Sequence, residues 1–151
     1  MLNLREKRRL YKLGLEAFNT RRFYEAHEFW EEVWLHTPAP DKTFLQGLIQ
    51  VAAAFHHHSR SNLAGTRSLL HKGLLKLNVF PDSYGGIEVE PLRRAVRKWL
   101  RLTRAGKPSN HVALPQIAGD AEASVFVRWP KGNAGKSAAL RPSQGGRRGR
   151  P

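Results

Sequence analysis

The amino-acid sequence predicts an all-α protein, an antiparallel bundle of about five helices with a disordered basic C-terminal tail. Three observations predict it. Apolar residues recur at three- and four-residue spacing through the first two thirds of the chain, the interruptions are brief and carry Asn, Pro or Gly, and no alternating run is extensive enough to build a sheet. Brief links make successive helices antiparallel neighbours. A chain of 151 residues fits one domain. That domain is assigned to residues 1–105, followed by an irregular segment suited to docking, 106–130, and a tail, 131–151.

Leu4, Leu10, Leu13, Ala17 and Phe18 fall close to a helical repeat and define the first helix, which stops near the turn formers Asn19 and Thr20. Thr20 is suited to cap a second helix from about Arg22 to Leu35. The prolines of "TPAPDK" end it, because proline lacks an amide donor and restricts its predecessor. A third helix, about Thr43 to Ser59, is apolar around most of its circumference ("FLQGLIQVAAAF"), as expected for a central element. Ser61 or Asn62 caps the fourth, whose apolar stripe is Leu63, Leu70, Leu74 and Leu77 and whose weak points are Gly65 and Gly73. "FPDSYGG" is a turn, and Pro91 opens a fifth helix that buries Leu92, Ala95, Val96 and Trp99. "SVFVRW" is apolar and β-prone enough to dock as an extended segment, whereas residues 131–151, with five glycines, six basic residues and no acid, are expected to be disordered.

The formal net charge of +14 is unevenly distributed. Residues 1–40 hold seven Lys/Arg against six Asp/Glu, residues 41–110 twelve against four, and residues 111–151 seven against two. Such a balance makes anionic partners plausible, nucleic acid first, without specifying one. There is no cysteine, so disulfides and thiolate metal sites are excluded and any metal must use nitrogen and oxygen ligands. No apolar run is long enough for a signal peptide or a membrane span, and a cytoplasmic, soluble protein is expected.

Against this basic background, "FYEAHEFWEEVW" (Phe23–Trp34) gathers four glutamates, one histidine and two tryptophans. At about 100° per residue with His27 at 0°, Trp34, Phe23, Trp30 and Ala26 lie between about 340° and 260°, and Glu31 at about 40°. Glu25, Glu28 and Glu32 group between about 100° and 160°, toward water. His27 and Glu31 are therefore expected on the apolar side, looking into the bundle. A buried ionised carboxylate needs a cation, a proton or a set of donors. In an antiparallel hairpin Glu31 falls opposite Gln46 and His27 opposite Gln50, and these glutamines form a narrow polar stripe with His57 on the third helix.

Two readings of this arrangement stand open. One is an internal hydrogen-bond network, His27 with Gln50 and Glu31 with Gln46, fixing the register of the hairpin. The other is one divalent metal ion (Zn, Mn, Fe or Ni) held by His27 and Glu31, with His57 as the best third ligand. Gln46 and Gln50 would then complete or orient the site, and Trp30 and Trp34 would wall it. Metal-assisted hydrolysis is the chemistry such a site suits. His56, His57 and His58 cannot converge on one ion, because successive helical side chains diverge by about 100°. No Walker loop, dinucleotide fingerprint or placed nucleophile is present, and "HEFWE" lacks the second histidine of the zinc-protease pattern.

"FYEAHEFWEEVW", with the following "FLQGLIQVAAAFHHHSRSNLAGTRSLL", resembles the small prokaryotic family catalogued as domain of unknown function 309, over about residues 13–77. Its His-x-x-x-Glu-x-x-Trp/Tyr motif is present as His27, Glu31 and Trp34, and its Gln-Gly-Leu-Ile-Gln segment as Gln46–Gln50. The resemblance implies a helical bundle and metal binding at the motif, and no substrate or reaction. A weaker resemblance, to tetratricopeptide helical hairpins, favours an interaction module, although three regular repeats are absent. The corresponding rival reading is a module whose partner is anionic, nucleic acid or an acidic protein. Arg93, Arg94, Arg97, Lys98, Arg101 and Arg104 of the fifth helix would contact phosphates and the tail would add affinity. A third alternative rests that helix against Glu25, Glu28 and Glu32, within one chain or between chains of a homo-oligomer.

Overall fold

The structure is a computed structural model and describes residues 2–106 and 112–119; the expected docking of "SVFVRW" and the expected disorder of 131–151 lie outside the described residues. Asn3 starts the first helix, α1 (Leu4–Asn19). Its side-chain oxygen accepts from the Glu6 amide at 2.8 Å while Glu6 accepts from the Asn3 amide at 3.2 Å, a reciprocal capping box. α1 ends in a left-handed residue, Arg21 (φ 69°), with Arg22 N–H donating to Ala17 O at 2.8 Å and Arg21 N–H to Phe18 O at 3.0 Å. This is the Schellman pattern, and it leads directly into α2 (Phe23–Leu35). The Thr20 cap expected for α2 is not made. Its hydroxyl donates back to Glu16 O at 2.8 Å, finishing α1, and the cap position falls to Arg22, whose side chain makes no capping bond.

α3 (Asp41–Ser59) follows the prolines. It ends in the same way as α1: Ser61 is left-handed (φ 61°), Asn62 N–H donates to His57 O and Ser61 N–H to His58 O, both at 2.9 Å. Asn62 then caps α4 (Leu63–Leu77) by accepting from the Gly65 amide at 2.9 Å. The chain is thus two helical hairpins closed by one turn geometry. The "FPDSYGG" turn carries a minimal antiparallel hairpin, β1 (Ser83–Tyr84) and β2 (Ile87–Glu88). Gly85 and Gly86 between the strands both have positive φ, 62° and 77°, as a two-residue hairpin loop requires. α5 (Val89–Arg104) begins two residues before Pro91.

Packing follows chain order: α1 on α2, α2 on α3, α3 on α4 and α4 on α5. The core runs through aromatic rings from four of the helices. Phe18 of α1 meets Phe23 of α2 at 5.1 Å, Phe23 meets Phe55 of α3 at 5.5 Å, and Phe55 meets Trp99 of α5 at 5.2 Å between ring centroids. Gly73, a weak point by propensity, is a place where α4 lies close against α3. A Cβ there would stand 2.9 Å from Val51 Cγ2 and 3.0 Å from the Gly47 carbonyl.

Residues 112–119 return across the bundle. Asn19 at the end of α1 holds them with both amide atoms, accepting from Ile117 N–H at 2.7 Å and donating to Ile117 O at 3.0 Å. Ala118 O accepts from Glu88 N–H at 2.8 Å, and Ile117 is buried with the core. Among the described residues no helix is long and apolar enough to cross a membrane.

A candidate metal centre on the second helix

The buried arc of α2 consists of Phe23, Ala26, Trp30 and Val33, centred near 280° on the wheel that sets His27 at 0°. That centre explains where the acids go. Trp30 is fully buried against α1, its indole N–H donating to Tyr11 O at 3.1 Å, so it belongs to the core and walls no site. His27 sits at the margin of the arc with its side chain 25% exposed, and Glu31, one step further, is 49% exposed. Glu31 therefore does not look into the bundle as expected: packing against α1 turns the buried arc of α2 away from His27 and leaves Glu31 outside it.

A different convergence results. His27, Glu28 and Glu31 each present a ligand atom, all within 4.8 Å of one another. His27 Nε2 lies 3.9 Å from Glu31 Oε1, and Nδ1 lies 3.6 Å from Glu28 Oε2. Nδ1 is buried and has no hydrogen-bond partner. Tyr24 closes the group, its ring stacked on His27 at 5.7 Å. The neighbouring Glu28 carboxylate, as acceptor and as charge, holds the Tyr24 phenol above its ordinary pKa. The wheel could have found both missed residues, since Tyr24, Glu31 and Glu28 lie at about 60°, 40° and 100°, a single sector beside His27.

The third helix contributes differently from the expectation. His57 is not in the cluster, because its Nδ1 faces Asn62 Nδ2 at 3.0 Å. The Gly65 amide fixes the Asn62 oxygen on the other side, so the Asn62 amino group must donate and His57 Nδ1 must accept. His57 thereby serves the α4 cap. It is His56 that leans toward α2, 5.2 Å from the Tyr24 ring, and burial, followed by the charges of Arg60, His57 and His27, lowers its pKa. His58 packs edge-on against Trp99 at 4.9 Å. The three adjacent histidines point to three different neighbours.

Neither pair of the expected amide network is hydrogen bonded among the described residues. Gln50 Oε1 is buried without a partner and Gln46 is half-buried. Trp34 is also half-buried. Its ring carries Lys42 Nζ at 3.8 Å, the same ammonium donates to Trp34 O at 2.8 Å, and its indole nitrogen is buried without a partner.

The six basic residues of α5 divide. Arg93 is 6% exposed and donates to Leu77 O (2.9 Å), Phe80 O (2.8 Å), Asp82 Oδ1 (2.8 Å) and Glu90 Oε1 (2.8 Å), so it is a structural clamp and offers nothing to a phosphate. Glu90 also accepts from Arg97 at 2.9 Å and lies 3.7 Å from Arg94. Lys98, Arg101 and Arg104 are exposed. The α2 acids find partners near home, Glu25 in Arg22 at 2.6 Å and Glu32 in His36 at 3.9 Å, and α5 packs on α4 instead.

Two relatives align with part of this chain. An uncharacterised protein of Aquifex aeolicus (strain VF5) is 31% identical over 109 residues, 72% of this chain and 33% of that protein. The uncharacterised protein YpuF of Bacillus subtilis (strain 168) is 40% identical over 57 residues, 37% of this chain and 33% of its own length. These alignments cover about a third of each curated relative. The match to a family described as Domain of unknown function (DUF309) runs from residue 11 to residue 69, and therefore spans α2, α3 and the whole histidine–glutamate cluster. Over residues 11–69 this chain matches DUF309.

Proposed function

We propose that the exposed sector of α2 binds one divalent metal ion through His27, Glu28 and Glu31. The observation that supports this reading is the joint approach of three ligand atoms within 4.8 Å, one of them from an imidazole whose Nδ1 has no hydrogen-bond partner. One nitrogen and two carboxylate oxygens suit a borderline ion such as Zn, Mn, Fe or Ni. Ligand bonds of about 2.1 Å place donor atoms about 3.5 Å apart around a tetrahedral ion, so the carboxylates need to close by about 1 Å. Their half exposure makes that movement easy. It also carries a rotamer-entropy cost for two long side chains, which limits affinity.

Three protein ligands leave coordination positions for water or substrate, the arrangement of catalytic rather than closed structural sites. A bound ion of this kind lowers the pKa of its water and supports hydrolysis. Tyr24 stacks on His27 and adjoins Glu28, so it orients both side chains.

Elemental analysis of protein purified without a histidine tag and loaded with zinc or manganese tests the proposal. The wild type is expected to retain about one ion per chain, Glu28→Gln less, and His27→Ala/Glu31→Ala none. Equal, negligible metal in all three would end it.

A further inference from the structure

Two acid-poor helices flank one seam. No Asp or Glu occurs in residues 60–81 or 91–106, which cover α4 and nearly all of α5. The two helices are antiparallel: Arg67 near the start of α4 donates to Thr103 O near the end of α5 at 3.3 Å, and Arg93 near the start of α5 reaches Leu77 O at the end of α4. All the acids of this region, Asp82, Glu88 and Glu90, lie at the end where α5 begins. There they occupy Arg93 and Arg97 and approach Arg94. The opposite end is left with Lys98, Arg101 and Arg104, all exposed, and no carboxylate of a described residue pairs with them. At about 1.5 Å rise and about 100° per residue, Lys98 and Arg104 stand about 9 Å apart along the axis with Arg101 between them, the three spread over about 120° of the helix surface.

We infer that this end of the α4–α5 face is a docking surface for double-stranded nucleic acid, bound through its phosphates. Charge complementarity selects a polyanion. The apolar side of α5 is already spent in the core, with Val96 and Trp99 0% and 1% exposed, so the helix has no face to insert into a lipid surface. The exposed large apolar residues of this face, Leu75 and Val79, are at the acidic end, away from Arg101 and Arg104. Unpaired strands are disfavoured for a separate reason. They are gripped by aromatic stacking, and the one aromatic among the exposed large hydrophobics of the described residues is Tyr24, on α2. A row of exposed cations without stacking platforms among the described residues fits the regular phosphates of a duplex and reads no sequence.

The test is fluorescence anisotropy of the full chain with labelled duplex DNA, duplex RNA, single-stranded DNA and anionic vesicles, from 50 to 200 mM salt. Both duplexes are expected to bind, independently of sequence. Removing three phosphate contacts with Lys98→Ala/Arg101→Ala/Arg104→Ala should flatten the log–log salt slope for DNA by about 2.7. That slope change corresponds to roughly a 40-fold difference across this salt range. A charge-matched variant on the other side of the bundle, Arg5→Ala/Arg9→Ala/Arg21→Gly, should keep the wild-type slope. The triple variant should retain wild-type helicity by circular dichroism, because its residues are exposed. No duplex binding at 50 mM salt, equal slopes for the two triple variants, preference for single strands or preference for vesicles would each overturn the inference.

Discussion

Arg93→Met is the perturbation that separates a clamp from a ligand-binding arginine. Methionine keeps much of the buried stem and removes the guanidinium. The four bonds it takes away are unequal. Leu77 O retains a second donor, Phe80 N–H at 3.1 Å, and so loses one bond, worth about 1 kcal/mol. Phe80 O has no other donor among the described residues and becomes a buried unsatisfied carbonyl, at about 1–3 kcal/mol. Asp82 is 81% exposed and exchanges its partner for water at little cost. The expected loss is about 3 kcal/mol, read in urea unfolding as a lower midpoint at constant slope. Arg94→Met is the comparator: its side chain is 63% exposed and its one ion pair among the described residues, with Glu90, is 3.7 Å long, so a change within about 0.5 kcal/mol is expected. A loss under about 1 kcal/mol for Arg93→Met, or equal losses for the two variants, would refute the clamp.

Gly14→Ala should destabilise the protein by about 1–3 kcal/mol, although helix propensity alone favours alanine by about 1 kcal/mol. The added Cβ would stand 2.2 Å from Nε1 of the buried Trp30, so a raised melting temperature would contradict the α1–α2 packing. Ser61→Gly and Arg21→Gly relieve left-handed backbone at φ 61° and 69° and should each stabilise by roughly 0.5–1 kcal/mol in urea unfolding; a loss would contradict the Schellman turns. Hydrogen bonding from Arg93, with further contributions from Arg97, holds the Glu90 carboxyl below its ordinary 4.5. Its contribution is therefore fully present above pH 4.5 and lost as pH falls through the lower folded value. The stability difference between wild type and Glu90→Gln should be constant from neutral pH down to about 4.5 and shrink below, and a difference independent of pH would contradict the pairing.

The helices were legible because each has an apolar period and a recognisable boundary: Asn62 caps α4 as its side chain predicts, and the prolines separate α2 from α3. Thr20 was misread because a Schellman turn is fixed by the backbone at Arg21, a residue whose side chain carries no turn signal. The cluster on α2 was legible as to its helix and two of its members. Its depth was not, because one wheel does not say that two neighbours, α1 and α3, divide the apolar face between them and leave Glu31 outside. His57 fell to a competing structural demand, the Asn62 cap, which periodicity does not register. Arg93 reads as a surface cation because charge alone does not reveal the buried Phe80 carbonyl that it serves.

The most direct test of the metal centre is nitrogen NMR of the seven histidine rings during titration with zinc. The expected result is a ligand-type shift confined to one ring, assigned through His27→Ala, that saturates at one equivalent and weakens in Glu31→Gln. Shifts on His56, His57 or His58 with His27 unmoved, or no ring shift at any zinc concentration, would contradict it.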